Sequence, residues 1–295
     1  MQNAQTAARP LDSSLDLQFI AAKTGDLPPI PATALKALQM MGNPDVSVRD
    51  LQQVISEDQA LAAKILRIVN SAMYCLSRDV STVSHAIALL GLETVRSIVM
   101  AASVQHLLQS GRIPTKDLGT KLTWDHSWGA ALCARFLARR TRYASPEEAF
   151  LSGLMHDIGK PVLLGNLQNR YTSIIADVYG GQVTFHEAEM QALGFSHAQV
   201  GALLAEKWNF PRQLSEAIGY HHNPLAAPAF KHLACITDFA NLVMIRLEIG
   251  FERNKDLNLA EQPSAGFLKM SPESIEDLIV EVRSALEQKP DVLRS

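Results

Sequence analysis

Apolar residues in this chain recur at helical spacing through most of its length, and no segment alternates convincingly between apolar and polar. Between Asp58 and Tyr74, Leu61, Ile65, Leu66, Ile68, Val69 and Met73 gather on one side of a helix. Between Leu92 and Leu108, Val95, Ile98, Val99 and Leu107 do the same. A period near 3.6 marks amphipathic helices, whereas half-buried strands need alternation. The expected fold class is therefore all-α.

Capping and breaking residues divide the pattern. Leu27-Pro28-Pro29-Ile30-Pro31 is a stiff entry to a helix reaching about Met41, where Gly42-Asn43-Pro44 stops it. Ser47 with Asp50 opens a short helix ending near Ser56, and Thr82 to Leu90 forms another, closed by Gly91. Gly111-Arg112-Ile113-Pro114 breaks the pattern and separates an N-terminal lobe, 27–114, from a second lobe, 115–250.

In the second lobe Thr115 to Arg140 is helical. Ser145-Pro146-Glu147-Glu148 starts a helix that runs to Ile158 and halts near Gly159-Lys160-Pro161. Thr184 with Glu187 forms a capping box, and Ser196 caps a helix through Trp208. Pro211 to His222 and Pro228 to Ile249 follow. Residues 1–26 read as a loose polar leader. Residues 251–295 read as a tail with one helix, Ser271 to Gln288, whose stripe of Ile275, Leu278, Ile279, Val282 and Leu286 suits docking on the main body, with dimer contact as the alternative.

Composition narrows the function classes. At about 150 residues per domain, 295 residues suggest two domains. Lys plus Arg number 27 and Asp plus Glu 30, a net charge of −3, which argues against a general nucleic-acid binder or a polybasic membrane binder. A hydrophobic share of 47% excludes a disordered chain. The cysteines, Cys75, Cys133 and Cys235, are odd in number and widely spaced, so no disulfide framework is expected and the thiols should be buried. The apolar run Ile98 to Val104 is broken by Ser103, far short of the roughly 18 residues of a membrane span. Asp12, Asp16 and Asp26 mark the start as unlike a signal peptide, so a cytoplasmic location is expected.

Three motif readings fail. Gly153 to Lys160 has the wrong gap for a phosphate loop, and Pro161 stands where Ser or Thr is needed. Gly194-Phe195-Ser196-His197-Ala198 lacks the closing glycine of a serine nucleophile elbow. Arg135, Arg139, Arg140 and Arg142 read as a solvated helix face.

The histidines and acids are more informative. His156 and Asp157 are adjacent at the end of an apolar helix, and His221 and His222 are adjacent before Asn223-Pro224. Asp238 lies inside the apolar run Ala234 to Ala240, where a carboxylate is costly without a cation, metal or hydrogen-bond donor. Helices converging in a bundle can bring such groups to one ion. From the residues alone, a metal site and a set of hydrogen-bonded structural histidines both stand.

Several segments, in order, resemble the HDOD domain, a bacterial signal-output domain related to the HD phosphohydrolases. They are Leu27 to Pro31, Ile55 to Ala60, Lys64 to Ala72, Ala86 to Leu92, His126-Ser127, Glu148 to Lys160, His197 to Gly201 and Ala217 to Pro224, and the likeness covers about residues 20–250. The resemblance implies an all-helical fold with an N-terminal lobe packed on an HD-like helical bundle. It implies that His126, the His156-Asp157 pair and Asp238 match the metal-ligand pattern of the wider HD superfamily. His197, His221 and His222 are similar to the extra histidines of the HD-GYP cyclic-di-GMP phosphodiesterases, and Lys160 to the lysine after their HD pair. The GYP signature itself is absent after His222.

The resemblance thus implies one or two divalent ions (Fe, Mn, Zn or Mg), and a regulatory module acting through signalling proteins or a small-molecule or nucleotide ligand. A homodimer is the alternative assembly. No receiver, EAL or GGDEF domain is expected beside the HDOD-like region. The competing reading is a metal-dependent phosphohydrolase acting on a cyclic dinucleotide or other nucleotide, with Asp157 and Lys160 in catalytic roles. A third is a scaffold with no ligand.

Overall fold

Capping residues set the helix boundaries much as the sequence implies. The structure, a computed structural model, describes residues 47–109 and 117–290, apart from 75, 77 and 182, together with 32, 35, 36, 40 and 293. The expected leader, the helix ending near Met41, the Gly111–Pro114 boundary and Cys75 lie outside the described residues. Among those described there is no strand.

The first bundle comprises α1 (Val48–Ser56), α2 (Gln59–Val69), α3 (Val83–Leu90) and α4 (Leu92–Gln109). Ser47 and Asp50 close a capping box at α1, and Asp58 and Thr82 cap α2 and α3. Helix α2 ends at Val69, earlier than the apolar pattern suggests. The Asn70 amide turns out to bond both the carbonyl and the N–H of Val80, at 2.8 and 2.7 Å, and a short 3-10 turn, Ala72–Tyr74, follows. Asparagine competes here with the helix for backbone partners.

Helix α4 seats this bundle on α5 (Asp117–Arg140) and α6 (Pro146–Met155). The second bundle adds α7 (Gly159–Tyr179), α8 (Phe185–Leu193), α9 (His197–Lys207), α10 (Arg212–Tyr220) and α11 (Lys231–Arg246). Helix α11 is the central rod: Leu233 to Asn241 are all buried, between α5, α6 and α10. One buried apolar core runs from Leu51 to Val282 through both bundles.

Gly159-Lys160-Pro161 opens a helix instead of ending one. Helix α6 stops at Met155, three residues make a turn, and α7 begins at Gly159 and runs, with a kink at Gln168, to Tyr179. Pro161 sits in the first turn, where its missing N–H leaves no bond unmade. The tail also holds a second, shorter helix, α12 (Pro263–Leu268), before α13 (Pro272–Glu287). Helix α13 packs on α5 through buried Ile275, Leu278, Ile279 and Val282. Beyond it, Trp124 Nε1 donates to the Leu293 carbonyl at 2.6 Å, and Lys289 reaches Asp125 at 2.5 Å. Arg139, Arg140 and Arg142 are exposed as expected, but Arg135 is buried, paired with Glu147 at 2.6 Å and lying over the Phe150 ring. Cys133 and Cys235 are free, buried thiols. No helix among the described residues is long and apolar enough to cross a membrane.

Two glycines set the helix spacing around the His156-Asp157 turn. A Cβ at Gly153 would lie 2.5 Å from the Ala130 carbonyl oxygen of α5, and one at Gly159 only 2.0 Å from the His197 carbonyl oxygen of α9. Gly159→Ala should therefore destabilise the chain by about 1–3 kcal/mol or more, because backbone cannot rotate away as a side chain can. Gly266→Ala, in α12 with nothing near its Cβ, should instead raise stability by up to about 1 kcal/mol. Denaturant melts of the two variants check the contrast.

Candidate metal centre

Helix ends deliver most of the polar side chains to one point. His156 and His221 sit at the C-caps of α6 and α10, and each ring Nδ1 bonds a carbonyl of its own last turn, Gly153 and Ile218, both at 2.7 Å. Those carbonyls have no helical partner, so a histidine at this position satisfies the helix and is itself oriented. His197 opens α9, with Nδ1 2.6 Å from the buried Glu189 carboxylate, which also accepts the His197 N–H at 2.6 Å and the Tyr171 hydroxyl at 2.5 Å. His126, within α5, points Nδ1 at the Ile249 carbonyl, 2.8 Å away, beside Gly250 at φ +116°.

Carbonyls only accept, so Nδ1 of His126, His156 and His221 carries its proton and each of these neutral rings turns an Nε2 lone pair inward; His197 instead lies between two carboxylates, Glu189 at Nδ1 and Asp157 at Nε2. The Nε2 atoms surround Asp157. His126 and His156 Nε2 lie 3.5 and 3.4 Å from Asp157 Oδ2, and His197 and His221 Nε2 lie 3.1 and 4.0 Å from Oδ1. His222 Nε2 is 3.0 Å from His197 Nε2. Two three-residue groups result: His126, His156 and Asp157, then His197, His221 and His222, with the ligand atoms of each group within 4.8 Å of one another.

This donor set fits a metal. Facing Nε2 atoms stand 3.2 Å apart at His126–His156 and 3.3 Å apart at His197–His221. Two nitrogens each about 2.1 Å from one ion are separated by about 3.0 Å in octahedral and about 3.4 Å in tetrahedral geometry. Without a cation, the lone pairs that face each other at His126–His156 repel. Asp157 Oδ1 is buried and accepts no aligned hydrogen bond, a vacancy that costs about 1–3 kcal/mol if nothing fills it. Imidazole and carboxylate suit Fe, Mn or Zn better than Mg.

Burial dominates the electrostatics. It lowers His126, holds His156 down to about 4, and pushes His221 and His222 well below the ordinary value. His197 is the exception: burial would lower it, but Glu189 raises it. Burial would raise Asp157, yet His156, Lys160 and His197 hold it well below the usual carboxylate range. Lys160 Nζ lies 2.7 Å from Asp157 Oδ2 and 4.2 Å above the Phe185 ring.

The structure thus brings together His126, His156, Asp157, Lys160, His197, His221 and His222. It leaves Asp238 out of both groups. The Asp238 carboxyl is buried on the side of Ser264, and burial raises it to about 7, with the serine only partly offsetting this. One turn along α11, Asn241 takes the inward position, its Oδ1 3.0 Å from His126 Nε2. That oxygen either shares a cation with Nε2 or, with the amide turned over, gives way to an N–H that donates to the ring. Residue type favoured the acid at 238; only the facing of α11 could select the amide at 241. Glu189, Tyr171 and Glu252 also went unread, since no motif spacing marks them. Glu252 is half-buried, accepts the Phe185 N–H at 3.3 Å and faces Lys160. The His186 ring lies 4.8 Å from that of His222, and its buried Nδ1 has no hydrogen-bond partner.

Comparison with known proteins identifies the family and the fold. The HDOD domain family model matches residues 27–224. An uncharacterized protein of Treponema pallidum (strain Nichols) is 27% identical over 227 residues, 76% of this chain and 43% of that protein, so this chain spans less than half the relative's length. An HDOD domain protein of unknown function from Geobacter sulfurreducens superposes with a TM-score of 0.80 at 26% identity, covering 92% of this chain and 96% of that one. A candidate phosphohydrolase from Shewanella amazonensis SB2B gives 0.75 at 26% identity, covering 96% and 99%.

A pH dependence follows. His126, His156, His221 and His222 are held neutral in the fold, while unfolded histidines titrate near about 6.5. Below that pH the unfolded chain binds more protons, so stability falls as pH drops, through the window from about 6.5 to the His156 value of about 4. Urea midpoints of chelator-treated protein should decline across this window and change little between pH 7 and 8. A flat midpoint from pH 7 to 5 would contradict the buried, neutral assignment.

Proposed function

We propose that this chain, which belongs to the HDOD domain family, is a bacterial signal-transduction module that binds divalent metal at the Asp157 cluster and acts through a protein partner or small ligand. The observation that carries this reading is the ring of inward Nε2 atoms around one buried carboxylate, with an amide at Asn241 where an acid would complete a more anionic site. His126, His156 and Asp157 would hold one ion, and His197, His221 and His222, with Asp157 between, a second. A bound divalent ion would supply Lewis acidity toward a phosphoryl oxygen. The protein's own part is to orient the rings through Gly153, Ile218, Ile249 and Glu189, and to keep Lys160 beside Asp157 as a fixed positive charge.

Regulation is favoured over turnover because Asp157 is the only carboxylate in either ligand group, and Lys160 already engages one of its oxygens. The placement of Lys160 beside the cluster is what favours the second reading, a metal-dependent phosphohydrolase of cyclic dinucleotides or other nucleotides. There Lys160 would offset phosphate charge.

Metal analysis of the purified chain, then a nucleotide hydrolysis panel with added Mn or Fe, separates the readings. Bound metal at about one or two equivalents with no hydrolysis is the expected result. Hydrolysis abolished by Asp157→Ala would transfer the assignment to an enzyme. Absence of metal, with His156→Ala folding normally, would return these histidines to a structural role. Asn241→Asp should tighten metal binding by about tenfold or more, read by competition with a chromogenic chelator.

A further inference from the structure

Lys160 has a second neighbourhood. It also lines a cavity of about 280 Å³. The wall joins four parts of the chain: Leu108 from α4, Gly119 and Thr123 from α5, Leu164 and Ile175 from α7, and Phe185 and Phe251 from the elements beyond. The hydroxyls that border it are already committed. Thr123 donates to the Gly119 carbonyl and Thr172 to the Gln168 carbonyl, both at 2.9 Å, and Tyr171 donates to Glu189. What remains is an aliphatic and aromatic surface with one ammonium at its edge, the Lys160 Nζ that also faces Asp157 and Glu252.

We infer that this cavity binds the apolar body of a small phosphate ester whose anionic head lies at Lys160, next to the Asp157 cluster. The apolar preference follows from the lining, because a group that enters must give up its water and finds few free hydrogen-bond donors in return. The anionic head follows from Lys160, whose Nζ is 4.2 Å above the Phe185 ring at the cavity wall and 2.7 Å from Asp157. The size preference follows from the volume. Drug-sized ligands occupy about 300–1,000 Å³, so this cavity suits one ring system or a short alkyl group better than a cyclic dinucleotide. The head-group placement rests on the metal-centre reading; the preference for an apolar body does not.

The probe is 1-naphthyl phosphate, titrated calorimetrically into the full chain, with inorganic phosphate and 1-naphthol as the separated parts. We expect the ester to bind about tenfold or more tightly than either part. Thr172→Trp, introduced from an exposed position, and Ile175→Trp should each fill the cavity and weaken the ester about tenfold or more, with metal content unchanged. Lys160→Gln should weaken the ester but not 1-naphthol. Ester binding no tighter than inorganic phosphate, or unaffected by both tryptophans, overturns the proposal. So does adenosine monophosphate or a cyclic dinucleotide binding more tightly than the ester. If metal proves absent while the ester still binds and the tryptophans still block it, the cavity assignment stands and the metal-centre reading alone fails.

Discussion

A buried negative charge is the constraint to which the second bundle answers. Asp157 is nearly solvent-free, and an isolated carboxylate there would be several kcal/mol out of balance. The fold brings it a lysine, four imidazole nitrogens within 4.0 Å and a fifth behind them. The rings of His126, His156 and His221 are neutral and turn lone pairs toward the acid, so they do not neutralise it; His197, raised by Glu189, is the exception. Lys160 supplies a positive charge on the Oδ2 side alone.

The means of assembly is economical. His156 and His221 are each the residue that ends its helix, so one ring both closes the last turn and contributes to the centre. His197 begins its helix and is held by Glu189 through both ring and backbone. Contact between α7 and α9 at Gly159 brings these two ends together, and contact between α5 and α6 at Gly153 sets His126 against His156. Positions that carry no functional group therefore determine the distances between those that do.

Much of this was legible in the sequence. Helical periodicity and caps indicate the class of fold, and the adjacent pairs at 156–157 and 221–222 are among the residues that gather around Asp157. Three things were hidden for physical reasons. Gly159-Lys160-Pro161 looks like a stop because glycine and proline break helices, yet proline is as acceptable in a first turn as it is disruptive later. Arg135 looks solvated because charge usually is, but its partners Glu147 and Phe150 lie in the next helix. Asp238 and Asn241 are a turn apart on a helix buried on nearly every side, so burial pattern could not tell which of them faces the histidines.

The contacts of residues 289–293 have a practical bearing. Lys289 grips Asp125 and the Leu293 carbonyl receives the indole N–H of Trp124, so the two residues immediately preceding His126 are tied to the last described positions. A substitution at Lys289, or a break in the backbone at Leu293, is thus no neutral edit: it loosens the helical turn that aims one imidazole, and a purified sample altered there reports on a slackened centre.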